Sequence, residues 1–148
     1  MSTKARARTT GGAAAVGIAQ CLVLVLGSLA VVTWSFLEVS EALVTSTEPL
    51  TGVGMVFWSL VGGMAVLVLA CVATLMLWRG RAAGFTVLGL AWLPALPLAW
   101  VTVTSFLDLV ADERMPGVVA VSVVLGAGNL VLGWVLRTTP ATRPPVAG

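Results

Sequence analysis

The chain has 148 residues, 59% of them apolar and 9% charged, with eight Lys or Arg, six Asp or Glu, and no His or Tyr. Soluble domains carry about 25% charged residues, so this balance, with a mean hydropathy of +1.07, reads as an integral membrane protein. Tails this short and weakly basic exclude a nucleic-acid-binding domain.

Charge falls in five islands separated by four uncharged runs, 9–37, 49–78, 82–107 and 115–136. A helix rises about 1.5 Å per residue and the hydrocarbon core is about 30 Å thick, so about 20 residues cross it, and every run reaches that length. The pattern predicts an all-α integral membrane protein with four transmembrane helices, over about 12–37, 52–78, 82–107 and 115–136. In domain terms, a basic tail (1–10) precedes the transmembrane domain (11–137), and a flexible tail (138–148) follows it.

The first island holds Lys4, Arg6 and Arg8. Apolar sequence continues from there to Leu37, beyond the roughly 7 to 15 residues of a signal-peptide core, so the first run is expected to stay as a span. Its end, Ser35-Phe36-Leu37-Glu38, opens an acidic island containing Glu38, Glu41 and Glu48. The second run returns to Trp78, Arg79 and Arg81. The third ends on Ser105-Phe106-Leu107-Asp108, echoing the first, and leads to Asp108, Asp112 and Glu113 with Arg114 alone among them. The fourth closes on Trp134 and Arg137. The echo suggests two tandem hairpins. The positive-inside rule places both termini and the Arg79–Arg81 link in the cytoplasm, and the acidic segments outside as a candidate acidic face.

Trp34 and Trp58 are expected at the outer membrane boundary and Trp78 and Trp134 at the inner one, with Trp92 and Trp100 packed deeper. Small residues recur at helical spacing, Ser59 with Gly63 and Ser122 with Gly126. They mark spans 2 and 4 as close-packing helices, for a membrane-protein partner or for self-association.

Four polar or thiol side chains, Gln20, Cys21, Cys71 and Asn129, fall at a similar depth. An unpaired amide in hydrocarbon costs several kcal/mol, so Gln20 and Asn129 are expected to face the bundle interior and to bond each other or a backbone carbonyl. Two thiols at one depth invite a functional pair, although a buried Cys ordinarily packs as a small apolar side chain. Pro94 and Pro97 in span 3 free the carbonyls of Leu90 and Leu93 and are expected to kink the helix. Those carbonyls need other donors in lipid.

Proton-coupled transport marks itself with an ionisable group inside the membrane, haem takes His, Cys or Tyr ligands, and intramembrane hydrolysis needs a base. None of the four runs holds an ionisable Asp, Glu, Lys, Arg or His. The expectation is a non-enzymatic protein without cofactor or metal. Heavy Ala, Val, Leu and Gly usage suggests a GC-rich bacterial genome, and hence the inner membrane. The leading reading is an accessory or assembly subunit acting through helix packing. The alternatives are a small transporter or pore active as a homo-oligomer, and a phage- or toxin-type permeabiliser.

Overall fold

The computed structural model describes residues 11–45, 53–106 and 115–139. It contains four helices, α1 (Gly11–Thr45), α2 (Val53–Trp78), α3 (Ala83–Phe106) and α4 (Met115–Thr138), all long and apolar enough to cross a membrane. The protein is an all-helical chain with the architecture of a multi-pass membrane protein. Leu26, Val68, Leu75 and Val124 are among many large apolar side chains exposed on its surface. Such a surface associates in water, but matches hydrocarbon.

Three helices span what the charge pattern predicts, and α1 runs longer. It continues past Leu37 through Glu38 and Glu41 to Thr45. The interval contains good helix formers and neither Gly nor Pro, so nothing stops the helix where the membrane ends. Glu38 and Glu41 therefore sit on its last turns rather than in a loop. The remaining acidic positions, Glu48, Asp108 of the Ser-Phe-Leu-acid echo, Asp112 and Glu113, lie outside the described residues, as do residues 1–10 and 140–148, whereas Thr138, expected in the flexible tail, is the last residue of α4.

The buried positions of α1 are Gly17, Cys21, Leu24, Ser28, Val31 and Ser35, and those of α2 are Ser59, Gly63, Val66, Ala70, Ala73 and Leu77. Both series alternate steps of four and three, the signature of knobs-into-holes packing between helices crossing at a shallow angle. Glycines fix the register. A Cβ on Gly17 would lie 2.7 Å from Leu77 Cδ1, and one on Gly63 would lie 3.3 Å from Val31 Cγ1. Thus Leu77 fills the space at Gly17, and Val31 the space at Gly63, at opposite ends of an antiparallel seam.

The α2–α3 connection is tight. Gly80 has φ of +65°, its N–H donates to Leu77 O at 2.9 Å, and Arg81 N–H donates to Met76 O at 2.9 Å. This pair of bonds is a Schellman cap, which needs a left-handed residue at that position. It folds α3 back so that Phe85, Leu88, Ala91 and Trp92 join Cys21, Leu24, Val66, Ala70, Ala73 and Leu77 in one core.

The buried residues of α4, Ser122, Gly126, Asn129 and Gly133, repeat the same spacing. Its close approach is to α3: a Cβ on Gly89 would lie 2.7 Å from Gly126 O, and one on Gly126 would lie 3.1 Å from Gly89 O. Among the described residues α1, α2 and α3 pack on one another, whereas the backbone of α4 packs on α3 alone. The small residues of α2 and α4 are thus covered within the chain, Ser59 and Gly63 by α1, Ser122 and Gly126 by α3. Among the described residues the backbones of α2 and α4 do not approach each other.

Candidate functional site: an amide layer across three helices

Gln20, half-buried on α1, reaches both α3 and α4. Its Oε1 accepts from Trp92 Nε1 at 3.0 Å and from Asn129 Nδ2 at 3.0 Å, and Asn129 Nδ2 also donates to Leu125 O at 2.9 Å. Donor and acceptor chemistry sets the orientation of both amides. An indole N–H only donates, so the Gln20 atom facing Trp92 is the oxygen. A backbone carbonyl only accepts, so the Asn129 atom facing Leu125 is the nitrogen. One side-chain oxygen thereby links α1 to two helices, including α4, whose backbone α1 does not approach.

Trp92 is the member that counting along the sequence does not supply. Its burial, with only 7% of its surface exposed, fits the expected packing role of a deep Trp. Its hydrogen bond depends on which way α3 faces α1, and the sequence carries no direct signal for that. Of the other tryptophans, Trp58, Trp78 and Trp134 are strongly exposed toward helix ends, while Trp34 and Trp100 are half-buried.

A second polar contact lies farther along the α3–α4 interface. Ser122 Oγ, fully buried, donates to the carbonyls of Trp92 and Leu93, the latter at 2.9 Å. The Leu93 carbonyl is the one that Pro97, lacking an amide proton, cannot serve. α3 remains helical through both prolines, and at Leu93 the donor that Pro97 lacks is supplied from α4. Elsewhere Thr74, Thr102 and Thr104 donate to carbonyls of their own helices, a common way to house a hydroxyl within a span. Among the described residues no buried polar side-chain atom lacks a partner.

The thiols are not presented alike. Cys21 is buried in the α1–α2 seam, Cys71 is exposed on α2, and both are free. Glu38 and Glu41 are exposed at the far end of α1. At the opposite end Arg137 Nη2 donates to Thr86 Oγ1 at 3.1 Å, tying the last turn of α4 to the first turns of α3. No group of three or more metal-ligating side chains occurs among the described residues.

Comparison with known proteins gives no family model, no curated protein and no solved structure that matches the chain. Chemically, the layer of Gln20, Trp92 and Asn129 can hold helices at a fixed rotation, but contains no group that exchanges a proton or attacks a substrate near neutral pH.

Proposed function

We propose that the protein is a non-catalytic accessory or assembly subunit of a bacterial inner membrane, with both termini cytoplasmic, acting by packing its helices against a membrane-protein partner. The observation that carries this reading is that the backbone of α4 packs on α3 alone, with α1 reaching it through the Gln20–Asn129 hydrogen bond. In a closed bundle each helix has two neighbours, and here α4 has one along its backbone, which leaves a flank of α4 to the surroundings. Toward its Met115 end α4 also leaves an apolar groove of about 580 Å³ beside Trp100, Val103 and Val121 of the two helices. The small residues of spans 2 and 4 are occupied inside the chain, so the docking surface proposed is the exposed flank of α4 rather than its Ser122–Gly126 face.

Purification of the full chain in mild detergent, followed by mass determination of the complex, tests the reading. A larger membrane protein recovered in fixed stoichiometry supports it. Recovery of the chain only as a homo-oligomer replaces it with the transporter or pore reading, for which the same open flank would seat a second copy. Arrest of growth on modest expression, with loss of membrane potential, would favour a permeabiliser.

A further inference from the structure

A crevice follows the line where α1, α2 and α3 meet. Its deeper part is a cavity of about 210 Å³ walled by Leu24, Gly27, Val31, Val66, Trp92 and Leu98. Gly27 is exposed, and a Cβ placed on it would meet nothing within 4 Å, so the cavity opens on the lipid-facing side of α1. One turn nearer the Thr45 end of α1, the same helices wall a second cavity of about 70 Å³ whose lining includes Ser35, Glu38, Ser59 and Thr102. The steps from Val31 to Ser35, Gly63 to Ser59 and Leu98 to Thr102 are each one helical turn, so the two cavities stack along one seam. An apolar slot leads to a polar mouth bearing a carboxylate.

Water has no partners in an apolar cavity, and cavities of about 150 Å³ already hold a ring the size of benzene. Glu38 lies eleven positions from Gly27 (38 − 27 = 11). At about 1.5 Å per residue that separation is about 16 Å, close to one leaflet of a hydrocarbon core about 30 Å thick. A membrane lipid lying along the seam would therefore bring its headgroup to Glu38 when its chain fills the slot. A carboxylate at the mouth favours a headgroup carrying a positive charge and disfavours one whose net charge is negative.

We propose that this crevice is a binding site for one bilayer lipid of the leaflet on the Glu38 side, with an acyl chain against Trp92 and an ammonium headgroup, as in phosphatidylethanolamine, at Glu38. The site stands on the geometry of α1, α2 and α3, and is independent of whether α4 meets a partner.

Native mass spectrometry of the full chain, released from mixed micelles holding equal amounts of phosphatidylethanolamine and phosphatidylglycerol of the same chain length, tests it. One retained phosphatidylethanolamine is expected, in about threefold excess over phosphatidylglycerol, the size of effect a single solvent-screened charge pair gives. Glu38→Gln, an exposed change, should equalise the two lipids, and Gly27→Leu, which fills the slot, should reduce retention of both. In a variant keeping only Trp92 of the six Trp, lipid brominated along the acyl chain should quench the fluorescence, and Gly27→Leu should relieve the quenching. Equal retention of the two lipids by the unaltered chain overturns the headgroup assignment. Retention and quenching that survive Gly27→Leu overturn the slot.

Discussion

The Ser122 hydroxyl stands 2.9 Å from the Leu93 carbonyl and shares its one proton between that carbonyl and the Trp92 carbonyl, giving Leu93 a donor where Pro97, four residues further along α3, has none. A defect in one helix is thus repaired by a side chain of its neighbour, which couples the proline to the docking of α4. Ser122→Ala should lower stability by about 1 kcal/mol by taking this donor from a partly buried carbonyl. The same change should cost much less beside Pro97→Ala, whose backbone amide can serve Leu93. Detergent melting of the two single variants and the double variant measures the coupling. Additive effects would show that Ser122 and Pro97 act separately.

The amide layer has three members, and this changes what its removal should do. Replacing Gln20 and Asn129 together with Leu takes away a mutually satisfied pair, but leaves the Trp92 indole N–H without its acceptor. The double variant should therefore be destabilised by about 1 kcal/mol, within the range for a buried group left unpaired, and further change of Trp92 to Phe should recover part of that loss. Thermal melting in one detergent decides it, and a double variant as stable as the parent chain would remove Trp92 from the network.

Close backbone approach makes Gly89 and Gly126 the contact that seats α4. Gly126→Val would put side-chain atoms against the Gly89 carbonyl and Leu93, where neither helix can yield without moving, and overpacking of this kind costs about 1–3 kcal/mol. Gly128 lies two residues away with open space around its Cβ position, so Gly128→Ala should leave stability unchanged or slightly raised. The melting temperature in detergent should drop in the first variant and hold in the second.

Sidedness rests on the basic islands and is open to direct labelling. In a chain with Cys21 and Cys71 replaced by Ala, Glu41→Cys should react with an impermeant thiol reagent added outside intact cells, and Thr139→Cys should react only after the membrane is broken. Thr139 is a better reporter than Gly80, whose φ of +65° disfavours any L side chain. The reverse pattern would invert the topology.

Depth could be read from the chain because a helix converts sequence position into distance at a constant rate. Counting inward from the start of span 1 near residue 12 and from Arg137 is enough to put Gln20 and Asn129 at one level (20 − 12 = 8, 137 − 129 = 8), and the structure has their side-chain amides 3.0 Å apart. The need for a donor at Leu93 was equally legible from Pro97. The extension of α1 was not, because charge marks the end of the apolar stretch and not the end of the helix. Glu38 and Glu41 are as compatible with helix as the residues before them.

The sequence by itself determined four apolar helices, the order of their charges, and which polar groups would need partners, all of which depend on local composition and on spacing along one chain. Rotation and neighbourhood were decided only in three dimensions. That Gln20 would take Trp92 as well as Asn129, that Ser122 would be the donor to Leu93, and that the backbone of α4 would pack on α3 alone all depend on how the helices turn toward one another. The glycines at positions 17, 63, 89 and 126 set that turning, by allowing contact at some places and not at others. Many side chains of the chain are apolar and similar, so the choice of neighbour is made by shape, and shape is a property of pairs of helices rather than of any one of them.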